Sequence, residues 1–414
     1  MKRRVVVTGL GAVTPIGLNV KDFWANLIEG QSGVDYITYF DTTQYNTKFA
    51  AELKGFNPLD YMDRKLSQRI DPFTQYAIAA TKEAVEDSGI NLDTLNKERA
   101  GVIYGSGIGG MWTYDKQQRV LYDRNGNPDR ISPFFIPMLI ADIAAGRLSM
   151  IYGFKGPNYA TTSACSTSAN SIIDSVMLIR YGHADVMLTG GAEAVICPMG
   201  VGGFNAMKAI STRNDAPKKA SRPFDKNRDG FVMGEGGATL ILEEYEHAKA
   251  RGAKIYCEIA GFGLTGDAHH ITEPAPNGDG VSRAIKIAIE DSGLTLNDID
   301  AINAHGTSTP PNDRNESAAI RNVFGENADK IAVHSIKSMI GHLLGARRII
   351  KKKTTDLSIL DGIIPPTINH ETPDTECDLN YVTNTALKKD VNVILSDNSG
   401  FGGHTTRIAF KNFH

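Results

Sequence analysis

Cysteine is scarce in this chain: four in 414 residues, Cys165, Cys197, Cys257 and Cys377. None has CxxC or zinc-ligand spacing, and a chain this long does not depend on a disulfide scaffold, which predicts reduced thiols and a cytosolic, cytoplasmic setting. Long apolar runs are missing as well: nothing approaches the ~18 residues of a membrane span, so no membrane partner is expected. Nor is there an excess of one charge. The 44 Lys and Arg against 47 Asp and Glu leave a net charge of -3, which argues against nucleic acid as the main partner. With 41% hydrophobic and 22% charged residues the composition is globular, and at ~100–200 residues per domain the length predicts two or three domains. The opening MKRRVVVTGLGAVTPIG has the basic start of a secretory leader. Its apolar run is short, broken by Thr, Gly and Pro, and followed by no small-residue cleavage site, so it reads as a first β-strand.

Glycine is abundant, at 41 residues, implying many tight turns and close backbone approaches. More informative is an internal echo. KEAVEDSGINLD at 82–93 returns as KIAIEDSGLTLN at 286–297, about half a chain later. Each is a helix end with a Gly stop, followed by an apolar run into a Gly-rich turn, AGVIYGSG at 100–107 and AINAHGTS at 301–308. Strands are predicted at Val5–Thr8, Gly101–Tyr104, Val186–Thr189, Thr239–Glu243, Ile255–Gly261, Ala301–Ala304 and Val393–Leu395. Helices are predicted at 71–88, 138–151, 167–182, 280–292 and 314–324. Such alternation predicts an α/β chain with buried sheets. Two duplicated halves, 1–252 and 253–414, would stack as α-β-α-β-α around one continuous core.

Two motifs mislead. TGLGAVTP at 8–15 follows a strand as a dinucleotide-binding loop does, but Thr14 replaces the third glycine and Pro15 would fall inside the required helix. DKNRDG at 225–230 begins like a calcium loop, but Glu235 is one residue out of register for the bidentate ligand, and a turn held by Asx hydrogen bonds is expected instead. TTSACSTSAN at 161–170 carries more. Small residues crowd Cys165 ahead of a helical run, where unpaired backbone N–H groups and the helix dipole stabilise a thiolate and leave room for an acyl group. The residues alone equally allow a buried structural cysteine. Cys197, Cys257 and Cys377 lack such surroundings. His305 in NAHGTST and His342 in KSMIGHLLG sit in similar Gly-rich turns, either functional or simply hydrogen-bonded, whereas the tandem His269-His270 reads as structural. In SGFGGH at 399–404, Phe401 lies between flexible glycines and can act as a gate or as a core aromatic.

Taken together the chain resembles the β-ketoacyl-[acyl carrier protein] synthases of the thiolase-like superfamily, particularly the elongating type of bacterial fatty acid synthesis. The likeness runs from RVVVTGLGAVTPIG through ISPFFIP at 131–137, the Cys165 turn, SRPFDKNRDGFVMGEG at 221–236, DAHHITEP at 267–274, AHGTSTPPND at 304–313, KSMIGH at 337–342 and GFGGH at 400–404. It implies two thiolase-like halves and a Cys165–His305–His342 triad. The thiolate accepts the acyl chain, and neutral imidazoles bind the enolate left when malonyl carrier protein loses CO2. Backbone N–H groups of Cys165 and Phe401 would form the oxyanion hole. It further implies that Lys337 pairs with Glu316 near the histidines, with Asp313 also supporting the site. Thr307 and Thr309 would bind the pantetheine arm. Ile108 and Phe134 would line the acyl pocket, Phe134 across a homodimer interface. No metal or organic cofactor is implied, because the phosphopantetheine arm arrives on the acyl carrier protein. That acidic partner calls for a basic dock, with Arg64, Lys65 and Arg69 as one candidate cluster and Lys208 and Arg213 as another.

Some residues depart from the family pattern. Arg347–Lys353 places five cations where a small, Gly/Ala-rich helix is usual; a face of Leu343, Ala346, Ile350 and Leu357 would let some reach water. Ser399 stands where an aromatic is common, Asp397-Asn398 replaces a more neutral pair, and Pro311 and His334-Ser335-Ile336 differ slightly. These departures keep open a weakened, non-catalytic or polyketide-type paralogue that retains the fold and carrier binding. A degradative thiolase would need a second catalytic cysteine near the C-terminus, and the acetyl-CoA-using initiation synthases pair one His with Asn. Neither pattern is present.

Overall fold

The apolar run after Arg4 forms β1 (Val5–Val13), buried along its whole length. The computed structural model describes residues 2–346, 358–359 and 361–413. Four more strands of the same main sheet follow in the first half: β2 (Ala100–Gly105), β3 (Asn158–Tyr159), β4 (Val186–Glu193) and β5 (Gly236–Glu244). The second half supplies β6 (Cys257–Gly266), β7 (Ala301–Asn303), β8 (Ala332–His334), β9 (Val393–Gly400) and β10 (His404–Lys411). All ten join one sheet in the order β8-β7-β9-β10-β6-β1-β5-β4-β2-β3. Numbered within its own half, each set runs 3-2-4-5-1. In both, the second strand is parallel to the third and fourth, and the fifth is antiparallel to the fourth and first. The duplication is therefore topological as well as textual.

Five helices build the layers: α1 (Pro72–Ser88), α2 (Ile143–Tyr152), α3 (Thr167–Arg180), α4 (Asp279–Ser292) and α5 (Pro310–Phe324). Period-two alternation sorts each strand's side chains into two cores. Val102, Tyr104, Val186, Leu188 and Ile241 face α1 and α2, while Ile302, Val333, Leu395 and Ala409 face α4 and α5. The opposite faces meet in a third core that spans both halves, in which Ile103, Met187 and Leu240 share a cluster with Ile394, Ile408, Phe410 and the α3 residues Ile172, Ile173 and Val176. The arrangement is the expected α-β-α-β-α stack around a shared centre. Between the halves the strand ladder is only two pairs long, Val6 with Glu258 and Val7 with Cys257.

The TGLG segment has a packing role. Gly9 and Gly11 lie inside β1, where a Cβ would stand 2.3 Å from the Ala84 carbonyl oxygen and 1.8 Å from that of Ala80. The second half repeats the device: a Cβ on Gly261 would meet Ala288 O at 2.7 Å, and one on Gly263 would meet Ala284 O at 2.1 Å. A G-x-G strand thus lies directly under an A-x-x-x-A-x-x-x-S helix twice, Ala80-Ala84-Ser88 and Ala284-Ala288-Ser292.

Several expectations shift in detail. The predicted helix 138–151 is two pieces, Phe135–Leu139 and α2. Strands β3, β8 and β10 were not foreseen; the first two are very short, and β10 begins directly after glycines that read as a turn. The 225–230 segment is the expected Asx turn, with Asn227 N donating to Asp225 Oδ1 at 2.8 Å. Arg347–Lys353 and Leu357 lie outside the described residues, while Leu343 and Ala346 are buried. Replacing Gly11 by Val drives a branched side chain into the α1 backbone. Overpacking with no flexible neighbour to yield should lower unfolding free energy by at least about 3 kcal/mol in urea titrations. An unchanged midpoint would refute the close-packing role.

Candidate active site

The duplicated topology places equivalent chain segments at one location. The segment after the second strand of each half gives the Ile108 loop (after β2) and His305 (after β7). The segment after the third strand gives Cys165 (after β3) and the Lys337–His342 stretch (after β8). All these strands end on the side where parallel α/β sheets form their crevices. Cys165 sits in a single 3-10 turn, Ala164–Ser166, that leads into α3. Its predecessor Ala164 is held at φ +48°, a left-handed conformation that costs a non-glycine residue energy and that aims the following side chain. Ser308, at φ +68°, and Leu344, at φ +41°, are strained in the same sense beside the two histidines.

One cavity of about 360 Å³ brings the triad together, lined by Cys165, His305, His342, Ile108, Ser399 and Phe401. The two imidazoles lie edge to face with centroids 5.9 Å apart. Each has a backbone N–H directed at Nδ1, from Leu344 to His342 at 2.9 Å and from Ser399 to His305 at 3.2 Å. A nitrogen that accepts an N–H carries no proton, so each neutral ring has its proton on Nε2 and presents it as a donor. The 221–236 motif clamps His342. Its backbone N donates to Val232 O at 2.7 Å, its carbonyl accepts from Gly234 N at 3.0 Å, and the Phe231 ring packs edge-on at 5.2 Å.

Behind His305, buried Glu316 accepts the backbone N–H of His305 at 2.5 Å and of Gly306 at 2.7 Å. Buried Lys337 donates to the Gly306 carbonyl at 3.4 Å, so Lys337 and Glu316 hold one residue, Gly306, by its carbonyl and its N–H. Asp313, fully buried, accepts from Thr307 N at 2.9 Å, Ser308 N at 3.1 Å and Phe224 N at 2.9 Å; burial pushes its carboxyl above the usual carboxylate range. Thr307 and Thr309 line the cavity, their hydroxyls 2.7 Å apart. Phe401 sits between Gly400 and two left-handed glycines, Gly402 at φ +85° and Gly403 at φ +75°. A Cβ on Gly400 would stand 3.2 Å from Cys165 N, which places the Phe401 turn directly against Cys165.

Phe134, expected to reach a pocket across a homodimer interface, does not line the cavity of its own chain; its half-buried ring lies 4.7 Å from the exposed Arg69 guanidinium. Within the second basic cluster only Lys208 is exposed and on the cavity rim. Arg213 is half-buried and turned onto the Asn227 carbonyl at 3.0 Å, because the Asx turn places that acceptor within its reach. Arg64 and Lys65 are exposed on one helical turn, Arg64–Ser67. Burial pushes the Cys197 thiol up to about 11 and the Cys377 thiol up to about 12, in keeping with inert structural roles. His270 accepts backbone N–H groups of Thr272 and Glu273 at 3.2 and 3.1 Å, as a structural histidine does. The departing Asp397 faces Arg407 across the β9–β10 pair at 3.0 Å, both fully buried.

The α/β architecture agrees with what comparisons with known proteins show. Residues 2–248 match the β-ketoacyl synthase N-terminal domain and residues 256–371 its C-terminal domain. The chain is a member of the β-ketoacyl synthase family. It is 50% identical over 411 residues to the 3-oxoacyl-[acyl-carrier-protein] synthase 2 of Staphylococcus aureus (strain COL), covering 99% of each chain. It is 48% identical over 412 residues to the enzyme of the same name from Synechocystis, covering 100% of this chain and 99% of that one. Among solved structures, a type II polyketide ketosynthase in complex with its acyl-carrier protein superimposes with a TM-score of 0.92 at 34% identity and full coverage of both chains.

Sequence reasoning missed two carboxylates of this synthase. Glu193, at the end of β4, anchors the Ile108 loop. Glu235, next to the Gly234 that holds His342, is fully buried and accepts from Leu53 N at 2.9 Å, Tyr39 Oη at 2.6 Å and Tyr76 Oη at 3.2 Å. Burial pushes Glu235 up to about 7 from an unfolded value near 4.5. A raised acid stabilises the fold fully below its unfolded pKa and loses that contribution as pH rises through its folded pKa. The stability of wild type relative to Glu235→Gln should therefore fall between pH 5 and 8, by no more than about 1.4 kcal/mol per pH unit for one proton. Denaturant titrations across that range test this; a difference that stays flat or grows would refute it.

Proposed function

We propose that this synthase elongates acyl chains by decarboxylative condensation, with Cys165 as nucleophile and His305 and His342 as the enolate-binding pair. The observation that carries the reading is the Nδ1 bond on each histidine, which leaves two neutral Nε2–H donors beside one thiol. In the first half-reaction the Cys165 thiolate attacks the acyl thioester of a carrier protein and the pantetheine thiol leaves, so the acyl group is transferred to sulfur. Malonyl carrier protein then enters. Its C–CO2 bond breaks, the electron pair passes to the α-carbon, and the enolate oxygen is held by the two Nε2–H groups. The carbanion attacks the acyl thioester, a carbon–carbon bond forms, and Cys165 leaves as thiolate. Backbone N–H groups of Cys165 and Phe401 stabilise the tetrahedral oxyanion. Thr307 and Thr309 receive the pantetheine arm that the substrate brings, so the chain needs no organic cofactor of its own.

An acyl carrier protein is the partner this reading requires. Lys208 on the cavity rim and Arg64, Lys65 and Arg69 nearer Phe134 supply the basic contacts. The working form is a homodimer. Strand β3 ends the sheet order, and exposed Ile136, Ile140, Met150, Ile151 and Tyr159 surround that edge. An apolar edge of this kind favours pairing with a second copy, and that copy would bring Phe134 toward the neighbouring acyl pocket. The free cysteines agree with a cytoplasmic setting.

Cys165→Ala should abolish condensation yet retain malonyl decarboxylation, because both histidines remain; equal loss of the two activities would contradict the division of labour. His342→Ala should slow decarboxylation by about 10²–10³-fold, the cost of losing one preorganised donor, while acyl transfer to Cys165, followed by mass spectrometry, changes far less. The opposite order would overturn the assignment. Met150→Asp should shift the molecule from dimer to monomer in light scattering, and an unaltered dimer would place the interface elsewhere.

A further inference from the structure

Glu193 is a buried ionisable group beside the site that the mechanism leaves idle. It is fully buried at the C-terminal end of β4, and its four hydrogen-bond donors are a hydroxyl and three backbone amides. Oε1 accepts from Ser106 Oγ at 2.8 Å and Ile108 N at 3.2 Å. Oε2 accepts from Gly107 N at 2.8 Å and, from the other half of the chain, Gly345 N at 2.9 Å. Burial alone drives this carboxyl's pKa upward, and the four donors oppose the rise.

The two amides that share Oε2 belong to different functional segments. Gly107 precedes Ile108, a wall of the acyl cavity. Gly345 follows Leu344, whose N–H fixes Nδ1 of His342. The segments touch closely: a Cβ on Gly345 would lie 2.3 Å from Gly107 N, and one on Gly107 would lie 2.8 Å from Glu193 Oε2. Neither glycine has room for a side chain, so movement of one segment displaces the other through this single oxygen. Gly107 is also near the nucleophile turn, its Cβ position 3.4 Å from the Ala164 carbonyl oxygen.

We propose that Glu193 is a positioning residue that couples occupancy of the acyl pocket to the hydrogen bond on His342, so that an acyl chain on Cys165 raises the competence of the decarboxylating site. An acyl group lodged against Ile108 presses on the Gly107–Ile108 amides. Oε2 passes the shift to Gly345 and hence to the Leu344 N–H. The device favours loss of CO2 after an acceptor has been loaded over unproductive loss before it. The inference rests on the condensing activity proposed above.

The test compares single-turnover CO2 release from malonyl carrier protein by unloaded enzyme and by enzyme already acylated on Cys165. In wild type, acylation should raise the rate by about tenfold, within the usual range for coupled sites. Glu193→Gln replaces one acceptor oxygen with an amide NH2 that faces backbone donors, and its acylated-to-unloaded ratio should fall to within about twofold of one. The acceptor thioester is equally present in the variant, so a lost ratio reports coupling and not trapping of the carbanion. Circular dichroism and thermal melting establish that the variant is folded. If it is not, Glu193→Asp keeps the charge but is one methylene too short to hold both glycine amides, and its ratio should fall likewise. A wild-type ratio near one, or a folded variant that keeps the full ratio, overturns the proposal. Failure of wild type to form acyl-Cys165 or to release CO2 at all instead overturns the condensing activity itself.

Discussion

A backbone N–H aimed at Nδ1 of each histidine is the interaction on which the rest of the site depends. Condensation by this route needs imidazoles that donate, and a ring becomes a dependable donor at Nε2 only when its other nitrogen is occupied as an acceptor. A carboxylate partner would have favoured the imidazolium and added negative charge beside a developing enolate. A main-chain amide does neither. The requirement explains local features that otherwise look costly. Leu344, whose N–H turns back to the ring two residues earlier, is itself held left-handed. Ser399, the next-to-last residue of β9, donates its amide to His305, and the 221–236 segment clamps His342 by both its N–H and its carbonyl.

The duplication makes this arrangement economical. Equivalent strand ends in the two halves carry different groups: the Ile108 loop in one place and His305 in its counterpart, Cys165 in one and His342 in the other. The fourth strand of each half stabilises the loop that follows the second, through Glu193 in one case and through the Ser399 amide in the other. Two copies of one scaffold thus deliver four different segments to a single crevice.

Much of this was legible in the chain. The repeated EDSG helix ends marked the duplication because a helix stop followed by a strand and a Gly-rich turn is a local signal. Cys165, His305 and His342 were visible as residues in glycine-rich turns, though their surroundings alone left each balanced between chemistry and plain structure; resemblance decided what local sequence did not. The roles of Glu193 and Glu235 were invisible because one ends and the other precedes an apolar strand, and their importance comes from donors far away in sequence. The direction of Arg213 was hidden for a related reason. Charge can be read from letters, but the direction a side chain takes depends on neighbours such as the Asn227 carbonyl. The G-x-G of β1 looked like a ligand loop, and only the facing α1 backbone shows it to be a packing surface.

The short seam between β1 and β6 has a consequence for how the molecule holds together. Two rungs of ladder contribute little cohesion, so the halves adhere through the apolar layer around α3 and not through continuous strands. Severing the chain between them would strip that layer of one wall and leave each fragment with a greasy inner surface open to water. A protein written twice in sequence is in this respect one indivisible object, and neither copy is equipped to live alone.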